Sequence, residues 1–191
     1  MSDSNKNDKI IHRQLLFKAL SSLSSTDYAT RTEGMVHLRE ESLQSDLARS
    51  KLRDLIYDDD GCIRILAAEA LSLTQSYPSD AIPVLEATLE AGTDVEITDK
   101  VEPWIRICLG ALYNYGEAAK SAESLAWPYL YAQPRKNLTL YAARFISRFA
   151  GSTDATWTIL CLLCRHEDPE IRNYVREIMK SDEFRDDIVK E

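Results

Sequence analysis

Apolar residues return every three or four positions along most of the chain. Ile11, Leu15, Ala19 and Leu23 recur at intervals of four, and Leu43, Leu47, Leu55 and Ile56 fit one helix face. So do Ile82, Leu85 and Leu89, then Ala122, Leu125, Ala126, Tyr129 and Leu130, then Ala155, Ile159, Leu162 and Leu163. Such spacing stacks side chains along one side of an α-helix. No segment keeps the strict alternation of a strand between hairpin turns. The pattern predicts an all-α chain.

The helical segments repeat. Ile63-Arg-Ile-Leu-Ala-Ala-Glu-Ala-Leu-Ser72 and Leu138-Thr-Leu-Tyr-Ala-Ala-Arg-Phe-Ile-Ser147 share two aliphatics, an Ala-Ala pair, a further aliphatic and a Ser. The position of Arg64 reads Arg31, Arg64, Arg106, Thr139 and Arg172, at spacings of 33, 42, 33 and 33. Four residues earlier stand Asp27, Asp60, Glu102, Arg135 and Asp168. Seven residues later stand Leu38, Leu71, Tyr113, Ile146 and Met179. The one long spacing is matched by Gly92-Thr-Asp-Val-Glu-Ile-Thr-Asp-Lys100, which reads as a surface loop insertion.

Five helix pairs follow: 9–24 with 27–39, 43–57 with 61–75, 79–91 with 101–114, 117–132 with 137–150, and 152–165 with 169–180. Ser79 and Ser152 are expected N-caps. Pro103 and Pro169 fall where a first-turn proline forfeits no helix bond, and Gly116 and Gly151 where helices end. Residues 1–8 are expected to be a disordered lead, and 181–191 a tail or cap. Units this short cannot bury their own apolar faces, so neighbours must stack.

At this point the chain resembles the HEAT-repeat family, especially its short bacterial form. Asp60-Gly-Cys-Ile-Arg64 followed by Ala67, Ala68, Ala70 and Leu71 carries the likeness, as do Asp168-Pro-Glu-Ile-Arg172 and Ile82-Pro83-Val84-Leu85. The cues of ankyrin and tetratricopeptide units are absent. The resemblance implies a right-handed α-solenoid with second helices on its concave side. It also implies an acid–arginine ladder between neighbouring repeats, in which an Arg fork satisfies a carboxylate and turn carbonyls.

Composition narrows the function. The chain has 191 residues, is 45% hydrophobic, and holds 6 Gly, 6 Pro and 4 Cys, which suits one ordinary globular domain, or at most two small ones, rather than disorder or a disulfide scaffold. The polar start lacks a signal segment and no apolar run reaches membrane length, so a cytoplasmic location is expected. Net charge is −8, which disfavours unassisted phosphate binding. It is unevenly spread: net −10 over 54–102 (2 basic, 12 acidic) and net +4 over 103–150 (6 basic, 2 acidic). The basic stretch also holds 9 of the 16 aromatics.

Little points to catalysis or metal. Cys161-Leu-Leu-Cys164-Arg-His166 lacks a second ligand pair for zinc, and buried structural cysteines are the simpler reading. His12, His37 and His166 sit in no triad pattern, and His37 reads as a half-buried packing residue. Asp58-Asp59-Asp60-Gly61 lacks the downstream ligands of a calcium loop and reads as a turn with capping carboxylates. No cofactor is expected.

The fourth repeat departs from the pattern. Its ladder acid is Arg135 and its ladder Arg is Thr139; Glu69 is matched by Arg144 and Leu73 by Arg148. Arg135, Lys136, Tyr141, Arg144 and Arg148, with Trp104, form the candidate partner-binding set, since arginine and tyrosine anchor interfaces well. Divergence of a repeat with solvated charges is the alternative. Asp58, Asp59, Asp94, Glu96 and Asp99 form a candidate acidic surface.

The expected function is a non-catalytic protein–protein interaction module, an acidic binder such as an immunity protein or regulatory adaptor, with a partner of basic surface. Two enzyme alternatives come from the resemblance alone. HEAT-like alkylpurine DNA glycosylases use aromatics, arginines and a carboxylate. This chain offers Trp104, Trp127, Tyr141, Arg144 and Arg148, but 103–150 contains no Asp and only Glu117 and Glu123. Phycobilin lyases share short HEAT repeats.

Overall fold

The structure, a computed structural model, describes residues 3–131, 136–149 and 154–180. Among these the chain is helical, with no strand. No described helix is long and apolar enough to cross a membrane. The chain divides into two packing units, Met1–Val84 and Leu85–Glu191.

The first unit holds α1 (Asp3–Leu23), α2 (Tyr28–Ser42), α3 (Asp46–Leu55), α4 (Gly61–Ser72) and the start of α5 (Pro78–Thr93). α1 packs on α2, and α2, α3 and α4 pack on one another. Each of the three later helices in this set begins at a side-chain cap. Asp27 accepts from the Thr30 N–H, Ser45 from Ala48 and Asp60 from Cys62; these bonds satisfy donors that a helix start leaves orphaned. α1 begins at Asp3, earlier than the apolar spacing predicts, and takes in the polar lead.

The buried face of this unit is narrower than its apolar stripes. α1 buries Leu16 and Ala19 while Ile11 and Leu15 are exposed, and α3 buries Ala48 and Leu52 while Leu47 is exposed, as is Leu43, which caps the end of α2 rather than opening α3. α2 contributes Met35 and Leu38, and α4 contributes Ile63, Ala67, Ala68, Ala70 and Leu71. The small side chains of Ala67, Ala68 and Ala70 let α4 lie close to its neighbours.

In the second unit the rest of α5 is followed by α6 (Glu102–Tyr115), a 3-10 helix (Gly116–Ala122), α7 (Glu123–Ala126), α8 (Pro128–Tyr131), α9 (Lys136–Ser147), α10 (Asp154–Leu163) and α11 (Pro169–Lys180). α9 is central and packs against α6, α7, α8, α10 and α11. Its Leu138, Ala142, Ala143, Phe145 and Ile146 are buried, and Phe145 meets Phe149 edge to face at 5.3 Å. α10 buries Leu160 and Leu163, while Leu162 is exposed.

Three expectations are corrected here. The single helix expected over 117–132 is a 3-10 segment and two one-turn helices. Pro128 has no N–H to give the preceding turn, and Leu130 closes instead on the Trp127 carbonyl, an i to i+3 bond of 3.0 Å. Ser79 lies inside α5 rather than capping it, because the helix starts at Pro78, a residue suited to a first turn. Gly92 and Thr93 belong to α5 rather than to the insertion. A Cβ on Gly92 would stand 2.5 Å from both Ile105 Cδ1 and Tyr129 Oη, so the glycine permits a close approach that seals the helix end. Tyr129 is buried and its hydroxyl donates to the Leu89 carbonyl.

The insertion that remains is 94–101, and its second half is wound onto α6. The Thr98 carbonyl accepts the N–H groups of Val101 and Glu102 at 3.0 and 2.9 Å. Pro103 falls in the first turn of α6, and Pro169 begins α11, as expected. Gly116 ends α6 with a φ of 58°, in the left-handed region that favours glycine. Ser152, Gly151 and the tail 181–191 lie outside the described residues.

Candidate functional site

The repeat arginines find three kinds of partner. Arg31 reaches forward to the next turn, 2.9 Å from Asp58 and 3.4 Å from Asp60. Arg64 holds the carbonyls of Asp58 and Asp59 at 2.8 and 3.0 Å. Arg172 does the same with His166 and Glu167, both at 2.6 Å. Arg31 therefore makes the expected rung between repeats, whereas Arg64 and Arg172 brace the turn that precedes their own helix. Arg106 does neither. Its Nε is buried without a hydrogen-bond partner among the described residues, and its guanidinium lies 5.6 Å from the centre of the Tyr141 ring.

Around Arg106 the second unit builds a cation–tyrosine face from α6 and α9. Arg144 lies 4.4 Å from the centre of the Tyr113 ring and Arg148 lies 4.9 Å from it. Arg148 also fills the space over Gly116, where a Cβ would stand 2.8 Å from its Nη2. Tyr141, Arg144 and Arg148 are exposed at the surface. Tyr174 of α11 lies near enough to feel the Arg144 charge; burial is the larger influence on its hydroxyl and pushes its pKa up. Among the described residues no carboxylate lies within ion-pair distance of Arg106, Arg144 or Arg148.

Helix geometry explains the grouping. Arg106 and Tyr113 are seven apart on α6, two turns along one face, and Arg148 follows Arg144 of α9 by four residues, in the turn just past the helix end. The structure thus unites Tyr141, Arg144 and Arg148 of the expected set. Lys136 begins α9, and Arg135 lies outside the described residues. Trp104 is not brought in: it sits about 160° around α6 from Arg106 and makes no ring contact with this face. Tyr113 and Arg106 were missed as members. The repeat register places Tyr113 with the aliphatics Leu38 and Leu71, so only its contact with Arg144, the counterpart of Glu69, brings it into the set.

The candidate acidic surface fares differently. Asp58 is half-buried, bonded to Arg31 and to the Asp60 N–H at 2.8 Å, so it is an internal brace rather than free surface. The other acids of 54–80 are largely answered inside their unit. Asp54 meets Lys51 at 3.1 Å, Glu69 meets Arg39 at 3.0 Å, and Asp80 meets Arg53 at 2.6 Å and Tyr57 at 3.1 Å. Arg53 in turn covers the Tyr77 ring at 4.9 Å. Asp59, Asp94, Glu96 and Asp99 are exposed. The summed −10 of 54–102 overstates the charge offered to a partner.

The cysteines and histidines take structural places. Cys108 is fully buried, which pushes its thiol up to about 12 against a smaller opposing hydrogen bond with Thr88. Cys161 and Cys164 are half-buried rather than buried. The Cys164 thiol donates to Met179 Sδ at 3.2 Å, and burial, then Cys161, raises its pKa, the opposite of an activated thiolate. His37 is half-buried between Glu33 and Glu40, and His12 lies 3.1 Å from the buried Glu41. No group of three or more metal-binding side chains occurs among the described residues.

Comparison of the chain with protein-family models, with curated proteins and with solved structures finds no match.

Proposed function

We propose that the chain is a non-catalytic protein-binding module: a right-handed α-solenoid of five HEAT-like helix pairs that acts in the cytoplasm as an immunity protein or regulatory adaptor. The observation that carries this reading is the outward face of Tyr113, Tyr141, Arg144 and Arg148. Its arginines are stacked on tyrosines and meet no carboxylate among the described residues. Elsewhere in the molecule Arg31, Arg39, Arg49 and Arg53 each have a carboxylate. Tyr141, Arg144 and Arg148 are exposed and Tyr113 half-buried, and arginine and tyrosine are the residue types from which binding hot spots are built. A basic region of the partner would meet Asp94 and Glu96 of the 94–101 loop rather than the internally paired acids of 54–80.

The test is affinity capture by the tagged full chain from its native host, followed by mass spectrometry and reconstitution with the purified partner. The double reversal Arg144→Glu/Arg148→Glu should keep helical circular dichroism and reduce the affinity of that partner by two orders of magnitude or so. Undiminished affinity would overturn the site.

A further inference from the structure

Resting on that reading, we infer that the face of Arg106, Tyr113, Tyr141, Arg144 and Arg148 recognises an acidic polypeptide segment, gripping its carboxylates with guanidinium forks. Charge comes first. Residues 103–150 carry six basic groups against Glu117 and Glu123, and neither acid pairs with these arginines.

Geometry selects the ligand. Arg144 and Arg148 both lie over the Tyr113 ring; Arg148 also packs its Nε and Nη2 over Gly116, so the exposed Arg144 guanidinium is the main fork offered to a ligand, with the Arg148 charge beside it. A planar fork of N–H donors matches a carboxylate in two parallel bonds. Both guanidinium carbons lie within 5 Å of one ring centre, so they are no more than about 9 Å apart. Acids at alternate positions of an extended segment lie roughly 7 Å apart, within that bound. Stacking on Tyr113 also holds both side chains in place before the ligand arrives, so less freedom is lost on binding.

The same stacking argues against nucleic acid. Single strands bind through open aromatic faces on which bases stack. Here Tyr113 is engaged by two arginines and Tyr141 by Arg106. A net charge of −8 also opposes a long polyanion, whereas a short acidic segment meets only the local field.

The experiment is fluorescence anisotropy with the full chain and three short labelled probes: a peptide alternating Glu and Ser, its Gln and Ser counterpart, and oligothymidylate of equal length. The acidic peptide should bind at least about tenfold more tightly than either other probe, and weaken as salt rises. R144E/R148E should abolish this preference. Lys51→Glu/Arg165→Glu, which changes net charge equally at residues outside this set, should keep it. R144K/R148K, with charge but no fork, should lose several-fold. Preference for oligothymidylate, equal binding of the two peptides at low salt, or equal loss in the charge-matched control would each overturn the inference. The comparison of probes on wild type stands even if a variant misfolds. A captured partner with a non-acidic contact segment would sink this inference alone and leave the binding-module reading intact.

Discussion

The groove between second helices is filled in opposite ways in the two units. Between α2 and α4, Arg39 meets Glu69 at 3.0 Å. Between α6 and α9, Arg144 stands at the position of Glu69, and Tyr113, at the position of Leu38 and one before that of Arg39, has its ring centre 4.4 Å from it. An ion pair closes on itself and leaves little charge to offer. A cation–tyrosine contact supplies no hydrogen-bond acceptor to the guanidinium donors. Exchanging one acid for an arginine, and supplying a tyrosine opposite, turns a self-contained surface into one that needs a ligand. The same contrast separates Arg64, spent on two turn carbonyls, from Arg106, whose Nε has no partner among the described residues.

The largest expected difference between the units is alkaline. Cys108 keeps its proton when folded up to about pH 12, while in the unfolded chain it titrates near 9. Above pH 9 the folded state therefore holds more protons, and stability falls as pH rises, by several kcal/mol near pH 12. Burial raises Tyr115 and Tyr129 too and adds to the effect. The raised tyrosines of the first unit, Tyr28 and Tyr57, sit at the surface. All three tryptophans follow residue 100, so their fluorescence reports the second unit. Its denaturation midpoint should drop from pH 9 upward, and Cys108→Ala should flatten that slope. A midpoint constant to pH 11 would refute the assignment.

Next come the two arginines. Arg64→Ala should cost about 1–3 kcal/mol, because the Asp58 and Asp59 carbonyls lose their donor. Arg106→Ala should cost about 1 kcal/mol or less, since a cation–π contact goes and an orphaned Nε goes with it. Urea denaturation of both variants checks the order, and a reversed order would break the contrast.

Tyr113→Glu tests the slot directly. It should give Arg144 a carboxylate across the helix pair, with the charges on opposite helices from those of Arg39 and Glu69, changing stability by no more than about 1 kcal/mol, while affinity for the acidic peptide disappears. Retained affinity would show that the tyrosine stack is not what presents the arginines. The smallest effect is expected from deleting 94–97, a few tenths of a kcal/mol. A loss in melting temperature of many degrees would mean that these residues are packed.

Much of the helical layout was legible in the sequence. The α11 bounds of 169–180 match the spacing, and α4 begins at the expected residue 61, because acid caps and apolar periodicity agree there. The break at Pro128 was written in the chain but outweighed by an unbroken apolar stripe from Ala122 to Leu130. The α5 boundary could not be read locally: Gly92 is helical because Ile105 and Tyr129 close over it, contacts between residues 13 and 37 positions away. The acidic block misled because its partners are distant in sequence; Glu69 and Asp80 are paired 30 and 27 residues back. Tyr141, Arg144 and Arg148 were found by departure from the repeat. Tyr113 was hidden because it occupies a position where other repeats carry ordinary aliphatics.

The sealed end of α5 has a consequence for chain length. Tyr129, bonded to Leu89 and pressed against Gly92, fixes where the helix stops, and the turn at Thr98 fixes where the next begins. Between these clamps the residues 94–97 act as a polymer tether with pinned ends. Doubling such a tether adds only about 0.6 kcal/mol of closure entropy. New sequence can therefore be spliced between Asp94 and Ile97 and displayed ahead of α6 without drawing on the packing that holds either helix.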